Sequence, residues 1–245
     1  MTTATNRNTR QTTRDMDKAL NSKIFQDIYE SRGWPSQESL SGSGSDHRNT
    51  ERIIRELPEL LGRIGVTSIL DVPCGDFNWM RHVNLSGIQY IGADIVPKLV
   101  ESNQERYGSP ERQFLHLDLL TEDLPACDLI FCRDCLFHFS HNDVFRALNN
   151  LARSEAKYLL TTTFTYRSYP RNGNIRTGEW TPINLEMPPY LLPPPQTLLI
   201  EGSHESIIYG EGIEVPMFDR CLGLWLLSDV RNRLSELPES HTEAH

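Results

Sequence analysis

The sequence has few of the features that direct a protein to a membrane or to nucleic acid. It contains no apolar run of membrane-spanning length and no apolar core of a secretory signal peptide. Basic residues are scarce, with 24 Lys and Arg against 33 Asp and Glu and a formal net charge of −9. The five cysteines, an odd number, lie mostly in apolar segments and are typical of reduced thiols. We therefore expect a cytoplasmic protein that binds a small molecule, not a membrane or a nucleic acid, with no indication of oligomeric state.

What the sequence does contain is a series of apolar segments that each end in an acid. The run SILDVPCGDFNWM predicts a buried strand ending at Asp71, a tight turn at Gly75 and the start of a helix. The runs YIGADIV, FLHLDLL and CDLIFCRDCLFHF repeat the pattern at Asp94, Asp118 and Asp134. The intervals of 23, 24 and 16 residues suit a strand, a crossover and two short loops. Because parallel strands end at one edge of a sheet, the four acids should share one crevice.

These motifs resemble the class I S-adenosylmethionine-dependent methyltransferases, over roughly residues 50–165 and a final strand near 222–228. The runs DVPCGDFNWM, RDCLFHFS and GEWTPINL are also similar to a group of bacterial methyltransferase-like proteins that we cannot tie to a substrate. The resemblance implies an α/β fold with a Rossmann-like, doubly wound, seven-stranded and mostly parallel sheet, and S-adenosyl-L-methionine as the cofactor. Residues 196–208 and 221–228 predict two last strands, which would form an antiparallel edge hairpin.

The resemblance also implies a set of cofactor-binding residues. Asp94 would accept hydrogen bonds from the ribose hydroxyls, and Asp118 would meet the adenine amino group. Pro73 departs from the family, which more often has glycine there, so the turn needs a proline-compatible backbone. The alternative is that the aspartates only cap the helices that follow each strand. By match to the family motifs, the set is Asp71, Pro73, Cys74, Gly75, Asp94, Ile95, Asp118, Leu119 and Arg133.

Two residues after the fourth strand are candidates for catalysis. Asp134 and His138 are four positions apart, so they would share one face if a helix begins there, and either could take a proton from the acceptor. His138 is equally well explained as a satisfied histidine in the first turns of a helix. Cys132, Cys135, His138 and His141 have metal-like spacing, but one contiguous run is sterically awkward as a zinc site, so we predict no metal.

The remaining segments predict the following organisation. Residues 1–14 form a disordered tail, 15–48 a helix and a hinge that is either a lid or a plain linker, 49–165 the cofactor-binding core, 166–195 an insertion, 196–230 the edge strands, and 231–245 a loose tail. The insertion begins at the strand edge that carries the acids, so we expect it to bind the acceptor. It would do so through Tyr166, Tyr169, Trp180 and Tyr190, or it would simply cover the sheet edge.

We expect methyl transfer to an oxygen or nitrogen atom of a small-molecule metabolite. A sulfonium cofactor already carries its leaving group, so transfer depends mainly on alignment. One alternative is an NAD(P)-dependent oxidoreductase, which is disfavoured because the first turn lacks the pattern G-x-G-x-x-G. The second alternative is a non-catalytic, methyltransferase-like partner subunit that only binds the cofactor.

Overall fold

The structure, a computed structural model, describes residues 19–165, 172–201, 206–209, 213–216 and 219–237. Residues 19–31 form helix α1, and four further helices follow: α2 His47–Ile64, α3 Pro97–Tyr107, α4 His141–Arg153 and α5 Leu227–Glu236. The main strands are β1 Ser68–Asp71, β2 Gln89–Asp94, β3 Arg112–His116, β4 Leu129–Cys132, β5 Tyr158–Phe164, β6 Thr197–Ile200 and β9 Arg220–Leu226. A separate two-stranded sheet consists of β7 Ser206–Tyr209 and β8 Ile213–Pro216.

The seven main strands form one sheet in the order β3-β2-β1-β4-β5-β9-β6. Strands β1 to β5 pair in parallel, whereas β9 runs antiparallel to both β5 and β6. This confirms the predicted doubly wound sheet with an antiparallel edge pair. The edge strand β6 ends at Ile200, earlier than predicted, and β7 and β8 lie between the two edge partners in the chain.

The sheet is covered on both faces, which explains why its central strands are apolar at every position. Every residue of β4 and β5 is buried, as expected for parallel strands between two helical layers. Helix α2 packs on one face through Ile53, Leu57 and Leu61. Helices α4 and α5 pack on the other face. No helix of the described ranges is both long enough and apolar enough to cross a membrane.

The crossover after β1 differs from the prediction. No α-helix begins after the turn at Gly75; a short 3-10 helix, Met80–His82, is the only helical element between β1 and β2. Phe77 adopts a left-handed backbone with φ of 57°, and its ring is buried together with Trp79. The apolar residues of this segment therefore enter the core from an irregular turn, whereas an amphipathic helix would have spaced them along one face.

The predicted loose tail from residue 231 is also wrong over the part that the structure describes. Helix α5 continues to Glu236 and packs against α4. Val230 and Leu234 are both buried, because they lie four positions apart and share the inner face of the helix. Residues 238–245 lie outside the described ranges.

Replacing Leu234 with Ala tests whether this last helix is part of the fold. Leu234 is only 5% exposed, so its truncation should remove apolar contacts and destabilise the protein by about 2 to 4 kcal/mol. Urea unfolding would measure the change. The exposed neighbour Ser235 is the matched control, and Ser235→Ala should change stability by less than about 0.5 kcal/mol. Equal stability of the two variants would mean that α5 does not contribute to the core.

Candidate active site

The four strand-end acids line one cavity at the carboxyl edge of the parallel strands. Asp71 and Asp94 are the last residues of β1 and β2, and Asp118 and Asp134 each follow a strand by two positions. The cavity has a volume of about 250 Å³. Pro73, Cys74, Gly75, Ile95, Leu119 and Arg133, the other residues of the predicted cofactor set, line the same cavity.

Asp94 is held in place by the backbone. Its Oδ1 accepts a hydrogen bond from the Val96 N–H at 2.9 Å, and its Oδ2 accepts one from the Gly75 N–H at 3.0 Å. Burial raises the pKa of this carboxyl to about 6 even though the two amides stabilise its ionised form. Each oxygen keeps a second lone pair, so the carboxylate can accept two further hydrogen bonds from a ligand.

Asp71 lies deeper, at the centre of the sheet edge. Burial raises its pKa to about 8, against the opposing effects of the Tyr90 hydroxyl, which donates to Oδ2 at 2.5 Å, and of the Arg133 charge. The peptide between Val72 and Pro73, at the start of the turn above it, is cis. At Gly75 φ is 56°, and a Cβ there would lie 2.2 Å from Ser41 Oγ, so a larger residue would be strained and would displace the Ser41 side chain.

Asp118 is engaged by its own turn. Its Oδ1 accepts from the Leu120 N–H at 2.9 Å, and its Oδ2 accepts from the Thr121 hydroxyl at 2.8 Å. Its backbone N–H donates to Glu122 Oε2 at 2.7 Å, which completes a local cap. The capping alternative therefore describes this residue, although no α-helix follows it and its side chain still faces the cavity.

Residues 34–45, called the cover below, lie over the cavity and are fastened to the first turn. Asp76 accepts hydrogen bonds from the Ser39 hydroxyl, at 3.0 Å to Oδ2, and from the Leu40 N–H at 2.7 Å. In return the Asp76 N–H donates to Ser41 Oγ at 3.0 Å. The cover belongs to the segment 15–48, for which a lid and a plain linker were the two expectations, and several of its residues line the cavity.

Four charged side chains form a closed ring at the inner end of the cavity. Arg133 contacts Asp134 at 3.0 Å and Glu201 at 2.6 Å. Arg220 contacts Asp134, and its Nε lies 2.8 Å from Glu201 Oε2 as an ion pair, although these two atoms are not aligned as a hydrogen bond. Arg133 also donates to the carbonyl of Gly44 in the cover at 2.8 Å. The ring therefore joins the ends of β4 and β6, the start of β9 and the cover.

Asp134 is fully occupied by this arrangement. Its Oδ2 faces both arginines, and its Oδ1 accepts from the Thr162 hydroxyl at 3.2 Å. The prediction that Asp134 shares a helix face with His138 is wrong. Only a 3-10 turn, Leu136–His138, forms here, and α4 begins at His141.

His138 is buried and neutral. Its Nδ1 lies 2.8 Å from the Glu179 carbonyl, and since a carbonyl can only accept, Nδ1 carries the proton. Burial lowers the pKa of the ring to about 4. Its Nε2 has no hydrogen-bond partner among the described residues and is therefore available as an acceptor.

Aromatic side chains form the wall beside His138. The Trp34 ring lies 4.8 Å from the His138 ring, and Phe25 lies 6.1 Å from Trp34. On the other side, Trp180 packs edge-on against Phe137 at 5.8 Å. Sequence reasoning missed part of this wall, because its members are distant in the chain and read individually as ordinary core residues. The lining residues outside the predicted site set include Asn21, Phe25, Trp34, Phe137, Phe139, Phe164 and Arg220.

The four aromatic residues proposed from the insertion have different outcomes. Trp180 is half-buried and lines the cavity as predicted. Tyr190 does not line it: the ring is fully buried against Phe145 and His141 on the α4 side, because residues 187–190 form a turn that points it into the core. Tyr166 and Tyr169 lie outside the described residues.

Cys132 and Cys135 are in contact, but no three of the four side chains with metal-like spacing come together as metal ligands. Cys132 belongs to β4 and His141 starts α4. Within the described ranges, no group of three or more His, Cys, Asp or Glu side chains could hold a metal ion.

Comparison with known proteins points to one family. A family model described as a methyltransferase domain matches residues 69–156, which run from β1 to the end of the crossover after β4. An uncharacterized methyltransferase of Mycobacterium tuberculosis is 28% identical over 177 residues, covering 66% of this chain and 88% of the relative. A counterpart from Mycobacterium bovis matches to the same extent.

Two solved structures are similar at low identity. Magnesium protoporphyrin IX methyltransferase from Synechocystis, crystallised with bound S-adenosylmethionine, is 20% identical with a TM-score of 0.45, covering 61% of this chain and 78% of its own. Human N-acetylserotonin methyltransferase is 15% identical with a TM-score of 0.44, and the match covers 79% of this chain and 61% of the human chain.

The matched domain model, the curated relatives, the strand order and the acids at consecutive strand ends agree. The chain carries a methyltransferase domain over residues 69–156, in the seven-stranded fold and with the strand-end acids of class I S-adenosylmethionine-dependent methyltransferases.

Proposed function

We propose that this enzyme methylates an oxygen or nitrogen atom of a small-molecule metabolite. The observation that carries the proposal is the composition of a single cavity. One part of it is lined by strand-end carboxylates, and the other by aromatic rings and a neutral histidine. The cover and α1 close it from above, which leaves room for a small acceptor.

The residues present fit the cofactor. Asp94 is oriented by two backbone amides and keeps free lone pairs for ribose hydroxyls. Ile95 and Leu119 offer apolar surface for the adenine ring, and Asp118 lies beside them. Asp71 and the turn from Pro73 to Gly75 would line the remaining part, where negative charge suits a cation. When bound, the cofactor supplies a methyl group activated by a positively charged sulfur.

The chain's own residues would then align the acceptor and handle its proton. The aromatic wall positions a flat molecule and excludes water, which favours an in-line approach. His138 Nε2 is the available hydrogen-bond acceptor and would receive the proton of the acceptor hydroxyl or amine. We assign Asp134 no such role, because its carboxylate already faces two arginines and a threonine.

Cofactor binding is the first test. Calorimetry should show binding of S-adenosylmethionine and of its demethylated product, but not of NAD. Asp94→Ala should weaken this binding by on the order of 2 to 4 kcal/mol, because it removes charge-assisted hydrogen bonds. The exposed Asp123 is a matched control, and Asp123→Ala should leave the dissociation constant unchanged. Unchanged affinity in a folded Asp94→Ala protein would reduce Asp94 to a structural residue, and binding of NAD alone would refute the proposal.

Cofactor affinity should also depend on pH. In the free protein, burial raises the pKa of Asp71 to about 8 and that of Asp94 to about 6. Both carboxyl groups therefore hold protons at pH values where a solvent-exposed aspartate is ionised. A cation favours their ionised forms, so binding should release protons and strengthen as pH rises from 6 to 8.

Calorimetry in buffers of different ionisation enthalpy would count the released protons. The demethylated product, which lacks the positive sulfur, should show a weaker dependence, and Asp71→Asn should flatten the curve above pH 7. A cofactor affinity that does not change between pH 6 and 8 would contradict these assignments.

The roles of His138 and Asp134 can be separated by variants. His138→Gln should lower turnover about 10²- to 10⁴-fold with little change in stability. Asp134→Asn should lower the melting temperature, because it removes the negative charge between two buried arginines. Turnover can be followed as release of demethylated cofactor with a low-molecular-weight metabolite extract as the acceptor source. Full turnover in His138→Gln would leave alignment as the only catalytic contribution.

A further inference from the structure

Asn21, in α1, has a buried amide that the fold leaves unpaired. The residue is 5% exposed and lines the cavity, and its Nδ2 has no hydrogen-bond partner among the described residues. A buried donor without a partner is unfavourable, so such a group calls for an explanation outside the fold.

Other buried asparagines of the chain show what a structural role looks like. Asn103 Nδ2 donates to the Gly75 carbonyl at 2.7 Å, and Asn150 Nδ2 donates to the carbonyls of Leu119 and Glu122 at 2.8 and 2.7 Å. Asn172 Nδ2 likewise donates to backbone carbonyls. These amides connect loops, whereas Asn21 Nδ2 has no such acceptor in the part of the chain that the structure describes.

The position of Asn21 relative to the aromatic wall suggests its partner. Phe25 is one helical turn further along the same face, about 6 Å along the axis, and it contacts Phe139 at 5.9 Å as well as Trp34. Asn21, Phe25, Trp34 and His138 all line the one cavity, so a ring lying against Phe25 and Trp34 would have a substituent near the Asn21 amide. Ile24 packs against Gly178, where a Cβ would lie 2.6 Å from its Cγ2, so α1 is in close contact with the loop that carries Trp180.

We propose, resting on the function proposed above, that Asn21 recognises the methyl acceptor and that this acceptor is a flat phenol carrying a neutral carbonyl group. Asn21 Nδ2 donates to the carbonyl oxygen, and His138 Nε2 accepts from the phenolic hydroxyl. The ring lies against Phe25, Trp34 and Trp180. Asn21 is then a specificity-determining residue.

The charge of the cavity selects a carbonyl over a carboxylate. Five aspartates line the cavity, and the two arginines that line it are already paired with Asp134 and Glu201. An anionic acceptor would meet repulsion from these carboxylates, and both arginines of the lining are already engaged by acids. A neutral carbonyl oxygen satisfies the Asn21 amide without adding charge.

A stability comparison distinguishes a recognition residue from a structural one. Asn21→Leu keeps the side-chain shape and removes the unpaired amide, so the melting temperature should stay the same or rise by about 2 to 4 °C. Asn150→Leu is the matched control, since it removes an amide that donates two hydrogen bonds, and its melting temperature should fall. A fall of similar size in Asn21→Leu would show that the amide supports the fold, and would overturn the proposal.

Two matched fragments test the recognition itself. Binding of 4-hydroxyacetophenone and of 4-isopropylphenol, which has the same shape without the carbonyl, is measured by calorimetry on the full chain saturated with S-adenosylhomocysteine. The parent protein should prefer the ketone about 3- to 10-fold, and Asn21→Leu should bind both equally.

A preference that persists in Asn21→Leu would overturn the proposal. Binding of neither fragment by a protein that still binds S-adenosylhomocysteine would also overturn it while leaving the methyltransferase function intact. A parent protein that fails to bind S-adenosylhomocysteine would overturn both.

Discussion

The arrangement of this site depends on one buried ring of alternating charges. Arg133, Asp134, Arg220 and Glu201 come from the ends of three strands that are far apart in the sequence, and all four contacts lie within 3.0 Å. Removing one member would leave an uncompensated charge, which costs about 3 to 5 kcal/mol in buried networks. The ring also fixes the cover, because both arginines reach the carbonyl of Gly44. The inner wall of the cavity and its roof are therefore set by the same interaction.

A second constraint acts at the other part of the cavity, where carboxyl groups are buried before any ligand arrives. Burial raises the pKa of Asp71 and of Asp94, so the free protein keeps these groups partly neutral. A site of this kind has a stronger field for a cationic ligand once it ionises than a solvated site would have. The methyltransferase reaction involves such a ligand, and under the proposed function the acids at the sheet edge would provide the electrostatic match.

Each element was predicted from a short sequence pattern. Elements whose structure depends only on that pattern were predicted correctly, and elements that depend on contacts with distant residues were not. The strand-end acids Asp71 and Asp94 and the apolar runs before them predicted the parallel sheet, because its central strands β4 and β5 are buried on both faces. The helix predicted after Gly75 does not form. Phe77 and Trp79 lie in an irregular turn, and the tertiary fold buries both side chains. The prediction of a loose tail after Arg231 was wrong. The helical spacing of Val230 and Leu234 covers only one turn, and it buries these residues only because α4 lies beside α5.

The sequence by itself determined the sheet and the edge at which the strand-end acids collect, because spacing along a strand and its crossover is a local property. It did not determine which groups would be free to act. Asp134 became an ion-pair partner only when Arg220 came within reach, and Asn21 faced the cavity only when α1 closed over it. Tyr190 became a core residue because its turn folds toward α4. Charge pairing and burial depend on residues brought together from distant parts of the chain, and only the tertiary structure decides them.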